Sequence, residues 1–264
     1  MEQIKNIIFD VGDVLLSYRW KYMLMDYGLS EEEAVRIGTE MFDDPEGLWG
    51  LLDLGTVPQQ EIIERYCRKY PADEKVIRWF IGHGEYMPVA RPAVWELVHK
   101  LKIQGYGIYL LSNYSEELFK KHTEYADFMN DIDGLIVSYM VHKAKPDPAI
   151  YAALCEKYEL NPSECLFFDD RLENVQAAIS YGMQAKRGLW RIWRKLCRCM
   201  RFRKRNRGCF FRLLSLTSVM IAHIMITNVN KSEYVTILPS SYIKTRRSRR
   251  NRPPAAWVNI LYCQ

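Results

Sequence analysis

Along residues 4–185 the apolar and polar positions switch between two periods. Ile7-Ile8-Phe9 is an unbroken apolar run, as a strand covered on both faces requires, and it delivers Asp10 at its carboxyl end. From about Ser17 to Pro88 the spacing becomes that of amphipathic helices. Ser30-Glu31-Glu32-Glu33 reads as a capping box, Pro58-Gln59-Gln60-Glu61 opens another helix, and Asp73 marks a third start. No strand-like alternation interrupts this block, which predicts a purely helical insertion of about four helices.

Beyond it, strand and helix patterns alternate. Residues 93–104 are helical, with Val94, Leu97, Val98 and Leu101 on one face and Gly105 as the stop. Residues 107–111 form a strand ending at Ser112-Asn113, and residues 135–138 form the next. Asp147 is placed to cap a helix that has Pro148 at its first position. Residues 165–168 are a further strand ending at Asp169-Asp170, and residues 173–181 a helix stopped by Gly182. Such alternation predicts an α/β fold, a Rossmann-like, doubly wound parallel sheet. The expected division is a core of residues 1–16 and 89–185, an inserted small helical cap at 17–88, and an atypical basic C-terminal tail at 186–264.

Charge sharpens that last boundary. The chain carries a formal +5, yet from Lys186 onward there are 19 Lys/Arg and one acid, Glu233, against 18 basic and 31 acidic residues before it. An acidic body is therefore joined to a strongly basic tail. Basic runs bind nucleic acid or anionic lipid, and the apolar stretch Leu213–Val229 has the minimum length of a membrane anchor. That stretch is studded with polar residues, and Arg, Cys, Trp and Ser recur in the tail without pattern. No firm sign of nucleic-acid binding emerges, membrane contact is disfavoured, and the tail is expected to be poorly ordered and without evolved function. Seven cysteines form no framework spacing. Cys67, Cys155 and Cys165 fall in apolar periodic stretches and read as buried thiols of a reducing compartment, while Cys197, Cys199 and Cys209 lack the second ligand pair that a zinc site needs. The N-terminus has no charged-then-apolar leader, so the expected location is cytoplasmic.

The polar residues fall where chemistry would need them. Asp10, Ser112-Asn113 and Asp169-Asp170 each follow a predicted strand, and Lys145 lies in the loop soon after one. Ligands of open parallel sheets bind outside those carboxyl ends. Caps and turns account for Asp147, but a double Asp after a fully apolar strand is costly without a cation or ligand.

These segments, FDVGDV at 9–14, LLSN at 110–113, Lys145 in KAKPDP, and FFDD with Asn174 four residues beyond Asp170, resemble the haloacid dehalogenase superfamily of Mg-dependent phosphotransferases. The resemblance spans about residues 1–185 and implies a phosphatase acting on a small phosphorylated metabolite. It implies Asp10 as nucleophile, forming an aspartyl-phosphate. It implies Mg²⁺ held by Asp10, the Gly12 carbonyl and Asp170, supported by Asp169 and Asn174. Ser112 and the Asn113 backbone would donate to phosphoryl oxygens, and Lys145 would neutralise charge on nucleophile and phosphoryl group. The block at 17–88 is similar to the family's small helical cap, which closes over substrate. Within it Tyr18, Arg19, Trp20, Trp49 and Asp53 are candidates to touch substrate, although cap packing or solvated surface explains each more simply.

One departure matters. The larger family has a second Asp, two residues after the first, as general acid and later as base. Gly12 supplies neither, although its carbonyl still serves a metal. Asp13, one residue further, is expected to make turn hydrogen bonds instead. The pattern is similar to an FDxGN branch whose members are phosphatases, one of them acting on a sugar 1-phosphate, where the leaving group is acidic. Two alternatives remain: a 2-haloacid dehalogenase, which also lacks the second Asp but needs no metal and no final acid pair, and a non-catalytic phosphate-binding or interaction protein on the same fold. A frame-shifted reading of the gene would account for the tail. Sequencing the gene should then reveal an ordinary terminal strand and helix in another frame after about codon 186, and a gene with none disposes of the idea.

Overall fold

The computed structural model describes residues 3–188. The basic blocks, Leu213–Val229 and Cys197, Cys199 and Cys209 lie outside the described residues, as do the readings attached to them. The chain opens with β1 (Asn6–Phe9), followed by β2 (Leu16–Tyr18). Five helices come next: α1 (Trp20–Asp26), α2 (Glu31–Phe42), α3 (Leu48–Leu54), α4 (Gln59–Lys69) and α5 (Glu74–Gly82). Then follow β3 (Pro88–Ala90), α6 (Pro92–Ile103), β4 (Gly107–Ser112), α7 (Glu116–Thr123), β5 (Gly134–Val137) and α8 (Ser138–Val141). The described chain finishes with α9 (Pro148–Lys157), β6 (Cys165–Asp169), α10 (Leu172–Tyr181) and β7 (Gln184–Arg187).

Five strands form one parallel sheet in the order β5-β4-β1-β6-β7. The apolar runs explain its two-sided burial, because alternate residues serve opposite faces. Ile7, Phe9, Leu166 and Phe168 join the larger core cluster, whereas Ile8, Cys165 and Phe167 join the cluster beneath α9 and α10. Cys67, Cys155 and Cys165 are buried free thiols, as their apolar settings predict. Among the described residues, no helix is long and apolar enough to cross a membrane.

Local signals hold where the chemistry is local. Ser30 and Glu33 form a reciprocal capping box on α2, and Asp147 accepts from the Ala149 N–H with Pro148 opening α9. Asp73 precedes α5 without capping it, and its carboxylate pairs instead with Arg36. The insertion departs from expectation in two ways. It holds five α-helices, and it is entered and left through an antiparallel pair, Leu16↔Ala90 to Tyr18↔Pro88. Three-residue strands are too short to show a period, so the pair is invisible to pattern reading. A third difference lies at the sheet edge. The last strand runs to Arg187, although Lys186 and Arg187 read as the start of the tail; polar residues suit an exposed edge.

The insertion touches the α/β part through the carboxyl end of α3. Ser138 donates its hydroxyl to the Asp53 carbonyl at 2.5 Å, and His142 Nδ1 lies 2.9 Å from the Leu54 carbonyl. Gly55 closes α3 in the left-handed region at φ 62°, and a Cβ there would stand 2.9 Å from the Tyr139 Cβ. Gly55→Ala should therefore destabilise the protein by about 1–3 kcal/mol, from left-handed strain plus displacement of Tyr139. Gly50 lies inside the same helix, and a methyl there would meet nothing within 4 Å. Gly50→Ala should respond oppositely, gaining about 0.5–1 kcal/mol. Urea unfolding of both variants checks the pair of signs.

Candidate active site

Parallel register brings the polar residues together. Phe9 lies opposite both Leu110 and Phe168, so Asp10, Ser112 and Asp169 leave neighbouring strand ends at similar height. Asp10 is buried, and one of its oxygens, Oδ1, accepts from the Val11 N–H at 2.8 Å and the Ser112 hydroxyl at 2.6 Å. Lys145 Nζ lies 2.9 Å from the same oxygen and 2.7 Å from Asp169 Oδ2. Asp169 is fully buried and is fixed by the Asn174 amide at 3.0 Å and the Arg171 N–H at 2.8 Å.

Asn113 does something the sequence does not disclose. Its side chain clamps the Lys145 loop from both sides, accepting from the Lys145 N–H at 2.8 Å and donating to the Lys145 carbonyl at 2.9 Å. The Lys145–Pro146 peptide bond within that loop is cis. The lysine that bridges two strands is thus positioned by a residue at the end of a third.

Electrostatics at this centre are short of positive charge. Burial pushes the Asp10 carboxyl up to about 6, and the Asp169 charge adds to that against the pull of Lys145 and Ser112. Burial works against the Lys145 ammonium, but Asp10 and Asp169 outweigh it and hold its pKa above the usual value. Burial, then Asp169 and Asp13, also raise Asp170. Carboxylate oxygens of Asp10, Asp169 and Asp170 converge within 4.8 Å of one another. One ammonium cannot balance three carboxylates in a desolvated crevice, whereas a divalent cation would. The donors are all oxygen, which suits a hard ion such as Mg²⁺.

Of the insertion's candidates, two face this centre. Trp20 and Trp49 belong to an aromatic cluster with Phe42 and Phe80 inside the insertion, and Arg19 pairs with Asp26 on the surface. Asp53 lies close enough to Asp10, Lys145 and Arg171 to feel their charges. Burial pushes its carboxyl up to about 7, while the Ser115 N–H bond opposes the rise. Asp13 sits at φ 49° and accepts the backbone N–H of Tyr18, a turn bond of the expected kind. Arg91 donates to the Asp13 carbonyl at 2.7 Å and pins the same turn.

Tyr18, partly buried, begins a chain of hydrogen bonds that runs into the interior. Its hydroxyl bonds that of Tyr114, whose oxygen lies 3.0 Å from His122 Nδ1, and His122 Nε2 lies 2.8 Å from the Gly84 carbonyl. Only the position of Tyr18 beside the first motif is legible in the sequence, because the chain joins residues up to 104 positions apart in sequence order.

Comparison with known proteins agrees with this architecture. The family model for haloacid dehalogenase-like hydrolases matches residues 4–182. The chain is 28% identical over 197 residues to phosphatase MT3486 of Mycobacterium tuberculosis, covering 69% of this chain and 86% of that one. It is 26% identical over 181 residues to the sesquiterpene phosphatase astK of Aspergillus oryzae, covering 68% and 87%. Among solved structures, a HAD family enzyme of Bacteroides thetaiotaomicron, bt-2542, in complex with magnesium and inorganic phosphate, superposes with a TM-score of 0.56 at 23% identity, covering 70% of this chain and 93% of that one.

Burial pushes the His122 imidazole down to about 4, with Lys121 acting in the same sense and the Gly84 bond and Glu85 opposing. The folded value lies below the unfolded one of about 6.5, so the unfolded state binds the proton more readily. The resulting stability is complete above pH 6.5 and is lost as pH falls towards 4, by on the order of 3 kcal/mol. Urea midpoints measured across that window should fall more steeply for the wild type than for His122→Gln.

Proposed function

Because the chain belongs to the haloacid dehalogenase-like hydrolases, we propose that it is a Mg²⁺-dependent phosphatase, hydrolysing a small phosphomonoester through an aspartyl-phosphate on Asp10. The observation that carries this is the buried Lys145 joined to Asp10 and Asp169, with Asp170 and Ser112 at the same strand ends. Asp10, the Gly12 carbonyl and Asp170 would hold the metal ion, whose chemistry is to neutralise phosphoryl charge. Asp169 and Asn174 support that ligand set and orient Lys145.

Asp10 attacks phosphorus, and the bond from phosphorus to the ester oxygen breaks. Ser112 and the Asn113 N–H donate to the phosphoryl oxygens, and Lys145 balances the charge passing between carboxylate and phosphoryl group. Water then cleaves the bond from phosphorus to Asp10, restoring the carboxylate and releasing inorganic phosphate. The helical insertion at 17–88 serves as the cap over the core of 1–16 and 89–185, with Asp53 and Tyr18 reaching the chemistry. Three buried free thiols suit a reducing, cytoplasmic setting.

Gly12 shapes the substrate. With no acid at that position, residue 12 gives the departing oxygen no proton, which favours acidic leaving groups such as the anomeric oxygen of a sugar 1-phosphate. The pair Asp169-Asp170 speaks against halide displacement, which has no use for a metal-binding carboxylate cluster.

Steady-state assays with p-nitrophenyl phosphate, a sugar 1-phosphate and a primary alkyl phosphate test the proposal. Turnover should need Mg²⁺, stop with EDTA, and fall by roughly a thousandfold or more in Asp10→Asn. The two acidic leaving groups should be favoured in kcat/KM over the alkyl ester by about 100-fold. Absence of turnover on all three esters would leave only a phosphate-binding role, turnover indifferent to Asp10→Asn would remove Asp10 as the nucleophile, and equal rates for all three esters would remove the argument from Gly12.

A further inference from the structure

The space that Gly12 leaves is occupied. A Cβ at residue 12 would stand 2.9 Å from the Tyr18 hydroxyl and 3.0 Å from its ring carbon Cε2. The phenol is therefore lodged where a side chain on residue 12 would begin. It is held from three directions: by β2, by the Asp13 carboxylate on its own N–H, and by Tyr114 at its tip. The rings of Tyr114 and His122 pack against it, with centroids 6.4 and 5.9 Å away.

The direction of its hydrogen bonds follows from the far end of the chain. The Gly84 carbonyl can only accept, so His122 Nε2 carries the proton. A neutral imidazole then has only a lone pair at Nδ1, so the Tyr114 hydroxyl donates to it. With its own proton committed, Tyr114 accepts, and the Tyr18 hydroxyl donates to it. A phenol is a neutral donor and acceptor at ordinary pH, and here its one proton is directed at Tyr114. What Tyr18 presents beside Gly12 is consequently a lone pair and no proton.

We propose that Tyr18 is a positioning residue for the hydrolytic half of the reaction: its phenolic oxygen accepts a hydrogen bond from the water that attacks the phosphoryl group on Asp10. This rests on the aspartyl-phosphate reading above. The water oxygen bonds to phosphorus, the bond from phosphorus to Asp10 breaks, and the displaced pair returns to the Asp10 carboxylate. The water's proton leaves on the phosphate, so Tyr18 stays neutral throughout. In the first half-reaction the same oxygen has no proton for the departing ester oxygen. The site thereby keeps the water-orienting half of a missing acid–base residue and lacks the proton-donating half.

Rapid-quench kinetics of the full chain with p-nitrophenyl phosphate and Mg²⁺ separate the two halves, because p-nitrophenol release reports phosphorylation and the trapped phosphoryl-enzyme reports hydrolysis. Tyr18→Phe keeps the ring and removes the oxygen. The burst rate should stay within about threefold of wild type, while steady-state turnover falls roughly tenfold and phosphoryl-enzyme accumulates. Tyr114→Phe keeps the oxygen of Tyr18 but frees its proton, and should slow the same step by a smaller factor, about two- to fivefold. Burst and steady state falling together in Tyr18→Phe, or neither changing, would overturn the proposal. Should Tyr18→Phe not fold, an unchanged partition in Tyr114→Phe overturns it equally. A wild type that turns over without any phosphoryl group on Asp10 would instead overturn the aspartyl-phosphate reading itself.

Discussion

A buried ammonium shared by two carboxylates is the constraint from which the rest of the centre follows. Lys145 lies between Asp10 and Asp169, and all three are buried. Removing one partner from such a set leaves an uncompensated charge in a poorly polarisable place, at a cost of several kcal/mol. The fold therefore has to deliver all three at once. Parallel pairing of β1 with β4 and β6 sets the heights of Asp10, Ser112 and Asp169, and Asn113 ties the lysine loop to the end of β4. Asn174, from α10, holds Asp169 against the pull of the lysine. Even so the charges do not balance, and the excess lies on the side of the carboxylates, where an added cation is favoured.

The framework of this centre is legible in the sequence because it depends on local rules. An apolar run followed by Asp predicts a covered strand with a carboxylate at its end, and β1 and β6 are that. Ser30 and Asp147 cap helices through bonds two or three residues away, which any sequence window contains. The parts that escape depend on distant partners. The side chain of Asn113 has no predicted role beside its backbone, because nothing in LLSN says that an amide will meet a loop 32 residues later. The Tyr18 candidate cannot be separated by sequence from Arg19, Trp20 or Trp49, since all four are large and only packing sorts them. The α7 helix is hidden although Ser115 caps it through the Leu118 N–H, its short amphipathic stretch following directly on a phosphate motif.

The insertion and the centre are coupled more closely than a lid resting on a surface. The two short strands that lead into and out of the insertion place Tyr18 against the first motif, and α3 lends the Asp53 carboxylate and its own carbonyl to the same region. Gly84, at the insertion's far end, supplies the carbonyl that orients His122. Proton positions beside Gly12 are thus set by a residue 72 positions away, through three side chains of which none is a nucleophile or a ligand candidate.

This arrangement also explains why residue 12 is difficult to change alone. An Asp at that position would need the volume that Tyr18 fills, and the Tyr18 side chain cannot swing away without breaking its hydroxyl bond to Tyr114. Moving Tyr114 in turn strands a buried imidazole whose proton is already given to Gly84. The glycine and the tyrosine are therefore one unit: the small residue makes room for the phenol, and the phenol's directed hydrogen bond defines what the small residue's neighbourhood can do. Chemistry that needs a proton delivered to the leaving oxygen is closed to such a unit, while chemistry that needs water held in line remains open. On the proposed phosphatase reading, the choice of leaving group then lies in the hydrogen-bond direction of this chain, set at its far end by a backbone carbonyl that has only lone pairs to offer.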